Sequence, residues 1–283
     1  MIPLFQEHVR SIIRRSNSRR TLRGISEIFH ESLSMTSSVP SPTAARPRRF
    51  ATTRWSLIRQ ARQGHDTPAR AALEELCHAY WLPVYAFMKR QTRDLHEAQD
   101  WTQGFFASLL SRDALAQLTP ECGRFRSFLL AAARNFSCNE RDRKNAIVRG
   151  GHVFMQSLDY EEGEEKLARE LSTTTTAEGL FERQWALTVL DQVLRQLREE
   201  YDSTGRSELF ENLAGQLSGT TSDGALTELA IRLQMSPEAV RIALHRLRKR
   251  YRLLLRNEIG QTTDSPDDID DEIRYLFAVL ARA

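Results

Sequence analysis

The sequence predicts an all-α protein of two helical domains joined by a flexible acidic linker. Three observations carry that expectation. From Arg54 onward, apolar residues recur at three- and four-residue steps in one segment after another. No stretch shows the period-two alternation of a half-buried strand. The helical pattern breaks at 156–178, "QSLDYEEGEEKLARELSTTTTAE", which is acidic and then Thr-rich, the composition of a linker. A chain of 283 residues is long enough for two domains, and a 41% hydrophobic content gives each a core.

Charge matters here through its placement. Forty basic residues nearly cancel 37 acidic ones, leaving a formal +3, so any electrostatic role depends on where the charges cluster. Cys77, Cys122 and Cys138 are odd in number and widely spaced, which suits a reducing cytoplasm and no disulfide framework. Cys77-His78 invites a metal reading, but no second pair stands at ligand spacing, and a buried helical cysteine is the plainer one. No cofactor and no metal are expected. No run approaches the roughly 18 apolar residues of a membrane span.

Residues 1–50 read as a basic, disordered extension: "SIIRRSNSRRTLRG" and "SSVPSPTAARPRR" are rich in Arg, Ser and Pro and poor in acids. They lack the apolar core of a secretory signal, and Met35 offers a second initiation residue besides Met1. A plain tail competes there with a basic arm for phosphates. The first domain is expected over 51–155. "PARAALEELCHAYWLPVYAFMKR" steps through Leu73, Leu76, Tyr80, Val84 and Phe87, with Pro83 as a kink or boundary. "HEAQDWTQGFFASLL" turns Ala98, Thr102, Phe105 and Leu109 inward and leaves Glu97, Asp100 and Gln103 on an outer face. "GRFRSFLLAAARNF" puts Phe125, Leu129, Ala132 and Phe136 on one stripe, with Arg126, Arg134 and Asn135 off it.

The second domain is expected over 179–262. "LFERQWALTVLDQVLRQLREEY" buries Phe181, Trp185, Val189, Val193, Leu197 and Tyr201; "SELFENLAGQL" is a further helix, and "SGTTSDG" a polar loop. In "ALTELAIRLQMSPEAVRIALHRLRKRY", Leu229, Ala230 and Leu233 make a short apolar face and a turn follows at Gln234-Met235. Ser236 caps, Pro237 takes the first helical position, and Val240, Leu244 and Leu247 face back. This is helix-turn-helix grammar. It leaves Glu238, Arg241, Ile242 and His245 on a free face with Arg246, Arg248 and Lys249 beside it, a surface that suits the major groove: Arg reads guanine edges and flanking cations hold phosphates. Residues 263–283 form an acidic tail with a short helix. Either its acids and those of "EEGEE" screen the basic helix, or Ile273, Leu276, Phe277 and Leu280 simply pack a capped last helix.

"ELAIRLQMSPEAVRIALHRLRKRYRLLLRNEI" resembles region four of bacterial RNA polymerase sigma factors of the sigma-70 family, extracytoplasmic-function (ECF) subfamily. "HEAQDWTQGFFASLL" with "GRFRSFLLAAARNF" resembles region two. The likeness runs from about residue 53 to 280. It implies a promoter-specificity subunit with no chemistry of its own, cytoplasmic and nucleoid-associated, and a monomer when free. Its partners would be core polymerase, through the β′ clamp helices and β flap, promoter DNA in duplex and melted form, and an anti-sigma factor. The core contacts would be Glu97, Asp100 and Gln103. The loop "AQLTPECGRF" would capture a flipped minus-10 base, with Arg124, Arg126, Arg134, Asn135, Arg141, Arg143 and Lys144 along the same DNA. Glu238, Arg241, Ile242, His245, Arg246, Arg248 and Lys249 would meet the minus-35 element.

The sequence departs from the family pattern in three places. Gln234 replaces a turn Gly, so a left-handed backbone there costs on the order of 1 kcal/mol. Trp101 and Gly104 replace the commoner Leu and Glu. The stretch from Arg112 to Gly123 is poor in aromatics, so either base capture relies on shape and backbone or the loop lies elsewhere. The competing class is a helix-turn-helix regulator with an amino-terminal sensor domain. An enzyme finds little support: there is no Gly-rich phosphate loop and no Ser-His-Asp order.

Overall fold

The computed structural model describes residues 80–109, 124–145, 160, 164, 167, 176–217, 221–263 and 266–281. Every regular element among them is a helix. In chain order these are α1, described over 80–91, α2 (Leu95–Leu109), α3 (Phe125–Asn145), α4 (Ala177–Ser203), α5 (Ser207–Ala214), α6 (Asp223–Leu233), α7 (Pro237–Gly260) and α8 (Pro266–Ala281). The expectations for residues 1–79, including Cys77, His78, Leu73 and Leu76, lie outside the described residues. So do those for Cys122 and most of the minus-10 loop.

The chain divides into two compact units. One draws on Phe50–Val189 and Ile259–Ile269, the other on Leu190–Glu258 and Asp270–Ala283. The sequence places one division in a linker ending at 178, whereas the structural ones fall inside α4, near the end of α7 and inside α8, between Ile269 and Asp270. Periodicity explains the difference: the apolar stripe of α4 is continuous from Phe181 to Tyr201, so nothing in the sequence marks where its packing partners change.

In the first unit, α1 runs helically through Pro83, so the proline is no boundary there. Val84, Tyr85, Phe87 and Met88 are fully or almost fully buried, as are Phe105 and Phe106 of α2 and Phe125 and Leu129 of α3. Each such side chain contributes about 1.5–3 kcal/mol. The rings interlock edge to face, Tyr80 on Phe125 at 5.1 Å and Phe105 on Phe136 at 5.8 Å. α2 packs on α3. Gly104 sits at that crossing: a Cβ there would come within 3.2 Å of the Phe136 ring, which gives a packing reason for glycine at this position.

The segment expected to be a flexible linker differs at its described positions. Tyr160, Glu164 and Leu167 are helical, and their i, i+4, i+7 spacing gives one face. Leu167 is fully buried with Leu82, Tyr85, Ala86, Ala98 and Leu180. Tyr160 packs edge to face on Trp81 and Tyr85, and Glu164 accepts hydrogen bonds from the Tyr85 hydroxyl and the Lys89 ammonium. Acidic composition reads as linker when its few apolar residues are counted, but at these three described positions the side chains are anchored.

The second unit is built on the buried face of α4 (Val193, Leu197, Tyr201), with Phe210 and Leu213 of α5, Leu226, Leu229 and Ala230 of α6, and Val240, Leu244, Leu247 and Leu255 of α7. In α8, Ile273, Leu276, Phe277 and Leu280 are buried, as a packed last helix requires. Its acids are partly committed: Asp270 pairs with Arg256 and Asp271 with Arg274.

Candidate nucleic-acid interface

α6 starts at Ser222, whose hydroxyl accepts from the Ala225 amide at 3.3 Å. It ends in a Schellman motif: the Gln234 N–H donates to the Ile231 carbonyl at 3.3 Å and the Met235 N–H to the Ala230 carbonyl at 3.0 Å. That closure requires a left-handed residue, and Gln234 takes it, with φ 52° and ψ 39°. Among the described residues it is the sole non-glycine with positive φ. The turn then resets at Ser236, whose hydroxyl accepts from Ala239 at 3.2 Å, and Pro237 opens α7 with the fixed φ a first turn wants.

Val240, Leu244 and Leu247 anchor α7, at 0%, 3% and 0% exposure. The opposite face is bare. Glu238, Arg241, Ile242, His245, Arg246 and Lys249 are all exposed, and Ile242 leaves 44% of its surface in water although it is apolar. Arg241 is held by two carboxylates: Nη1 donates to Glu238 at 2.7 Å, and Nη2 lies 3.5 Å from Asp223, the first residue of α6.

Arg248 departs from the sequence expectation. Its guanidinium is turned back onto the segment before α6, donating to the Gln216 carbonyl at 2.7 and 3.2 Å and to the Thr221 hydroxyl at 3.0 Å. Burial, with Arg252 beside it, lowers its pKa from the usual guanidinium value. It is a tie within the second unit. The helical wheel could not show this, because position 248 lies at the margin of the exposed face and its partner is a backbone carbonyl.

The residues expected at melted DNA are brought together only in part. α3 carries all of them that are described except Arg124, which stands just before it. Arg134, Asn135, Arg141 and Arg143 are exposed, with Arg134 3.1 Å from Glu178, Arg143 2.8 Å from Glu140, and Arg141 hydrogen-bonded to Gln91. Arg124 is partly covered, 3.7 Å from Asp268, and the Phe125 amide donates to the Thr262 carbonyl. Arg126 is buried at 6% exposure, so unlike Arg134 and Arg141 it is not on the exposed surface of α3. The side chain of Lys144 lies outside what the structure describes.

On α2, Asp100 is exposed, while Glu97 and Gln103 are half-buried. The sequence reading missed their neighbour. The Tyr160 hydroxyl donates to the Gln99 carbonyl at 3.4 Å and is also hydrogen-bonded to the Gln103 side chain. Burial pushes the Tyr160 pKa up to about 12; the Gln103 bond opposes that rise and the Asp100 charge adds to it. The i, i+4, i+7 spacing of Tyr160, Glu164 and Leu167 was the signal available for it.

No protein-family profile, curated protein or solved structure matches the chain.

Proposed function

We propose that this chain is a promoter-specificity subunit of bacterial RNA polymerase of the ECF sigma kind. The observation that carries the reading is the bare face of α7, set by a Schellman-closed turn and bearing Arg241, Ile242, His245, Arg246 and Lys249. A helix presented this way fits the major groove with its amino-terminal turns at base edges. Arg241 would read a guanine, Ile242 a thymine methyl, and Lys249 a phosphate.

The first unit supplies the rest of the reading. Asp100 and Gln103 of α2, with Tyr160 at their edge, offer an acidic and amide patch for the polymerase clamp helices. On α3, Arg134 and Arg141 share one face two turns apart, with Asn135 on its flank and Arg143 on the far side; the first three offer polar contacts to a melted strand, where phosphate contacts offset the few kcal/mol of unstacking a base. Nucleotide addition and its metals belong to the polymerase. A plain helix-turn-helix regulator is the alternative, and it has no need of the polymerase in the absence of DNA.

The deciding experiment is a titration of the full chain against core polymerase without promoter DNA. Tight binding, weakened by Asp100→Ala with Gln103→Ala while the thermal melt stays unchanged, supports the sigma reading. No binding to core, together with sequence-specific duplex binding, establishes the regulator instead.

A further inference from the structure

Arg241 is the cation nearest the amino terminus of α7, and two acids reach it from different helices. Glu238 lies one turn before it on the same helix, 2.7 Å away, while Asp223 comes from the start of α6 and stands 3.5 Å from the other terminal nitrogen. All three side chains are more than half exposed. A lone cation on an open face adapts to any phosphate, because its long side chain samples many rotamers. One paired at both terminal nitrogens samples fewer, even though such exposed pairs are individually weak.

Donor arithmetic shows that the grip leaves the arginine usable. A guanidinium carries five N–H groups in a planar fork. The two acids engage at most one each, so enough remain for the two acceptors of a guanine edge. Charge arithmetic shows what the grip prevents: two carboxylates around one guanidinium leave a local formal charge of minus one, which disfavours an approaching phosphate. A base edge presents neutral acceptors and is repelled far less. The arrangement therefore favours base readout over backbone contact at this position.

From this geometry we infer that Asp223 is a specificity-determining positioning residue of the α7 interface, acting through Arg241. The inference rests on the proposed DNA-binding function and goes beyond it, since Asp223 lies outside the reading helix and touches no base. Ser222, not Asp223, supplies the capping hydroxyl of α6, so the change Asp223→Asn leaves that cap in place and keeps the shape of the side chain.

The test is selection from a randomised duplex library with the full-length chain, paired with direct binding of the unselected library. The wild type should enrich guanine at one position. Asp223→Asn should lower that enrichment about 3- to 10-fold, a fraction of what a whole bidentate contact supplies, while raising affinity for the unselected library about twofold through lost repulsion. Glu238→Gln should act the same way from the other helix, Asp223→Glu should restore the guanine, and in an Arg241→Ala background Asp223→Asn should change no base preference. If Asp223→Asn raises binding to all sequences alike and the guanine enrichment stays, the residue is an ordinary surface acid and the inference is overturned. A wild type that enriches no base at any position overturns instead the underlying reading of α7 as a base-reading helix.

Discussion

The guanidinium of Arg126 lies 4.9 Å over the Trp185 ring, and its Nη1 lies 3.4 Å from Glu182. The pair ties α3 to the first half of α4 within one unit. A residue that periodicity placed off the apolar stripe thus belongs to the interior. The reason is the partner: Trp185 offers a flat face to a planar cation, so the charge is buried without being stranded.

Arg126→Ala is therefore expected to destabilise the fold by about 1–3 kcal/mol, from the lost stacking and a Glu182 left with one partner fewer. Arg126→Lys should recover little, because an ammonium cannot stack as a guanidinium does. Urea unfolding measures both. A variant that melts like the wild type but binds single-stranded DNA more weakly would return Arg126 to the DNA face.

Arg248 and Lys249 are neighbours in sequence with different expected phenotypes. Lys249→Ala should weaken binding to all DNA sequences alike and lower the salt slope by about one unit, as the loss of one phosphate contact does. Arg248→Lys keeps the charge but loses the fork that reaches Gln216 and Thr221. It should lose affinity and melting temperature together, with the salt slope unchanged. Full activity in Arg248→Lys would show that the charge alone matters.

Gln234 occupies the left-handed position of the turn at φ 52°. Gln234→Gly should stabilise the second unit by up to about 1 kcal/mol, since glycine takes that conformation without the Cβ clash. The gain is partly offset by the greater freedom of glycine in the unfolded chain. A higher midpoint in thermal unfolding checks it; a lower one would mean that the Gln side chain supplies a contact worth more than the strain.

Tyr160 links the fold to alkaline pH. Burial raises its pKa to about 12 from an ordinary value near 10, so the folded state holds the phenol proton more tightly than the unfolded one. Its contribution is complete below pH 10 and is lost as pH rises toward 12. Tyr85 and Tyr251 are shifted in the same direction by burial. Stability should fall steadily across that window, and Tyr160→Phe should reduce the slope. Urea midpoints at successive pH values give the comparison. An identical slope in the variant would place the alkaline sensitivity in the other tyrosines.

Much of this protein is legible from local spacing. Helical class follows from three- and four-residue apolar steps, and, except at Val189, which is only half-buried, the inward faces of α4 and α7 fall where periodicity puts them, because a helix exposes its neighbours at fixed angles whatever surrounds it. The turn at Gln234 that ends α6 and the cap at Ser236 also follow rules that act over a few residues. Spacing alone also placed Arg241, Ile242 and His245 on a bare face.

Other features depend on partners far along the chain. Arg126 and Arg248 sit among exposed-looking positions, yet Trp185 and the Gln216 carbonyl, 59 and 32 residues away in sequence, draw them in. Tyr160, Glu164 and Leu167 pack against residues of α1 and α2 although the composition around them reads as linker, and Asp223 reaches Arg241 across the turn. A helical pattern states which direction a side chain leaves its own axis. Only the packed structure decides what stands there to meet it, because a ring, a carbonyl or a carboxylate brought from elsewhere in the chain can make burial or pairing of a charged group favourable where sequence spacing alone assigns it to water.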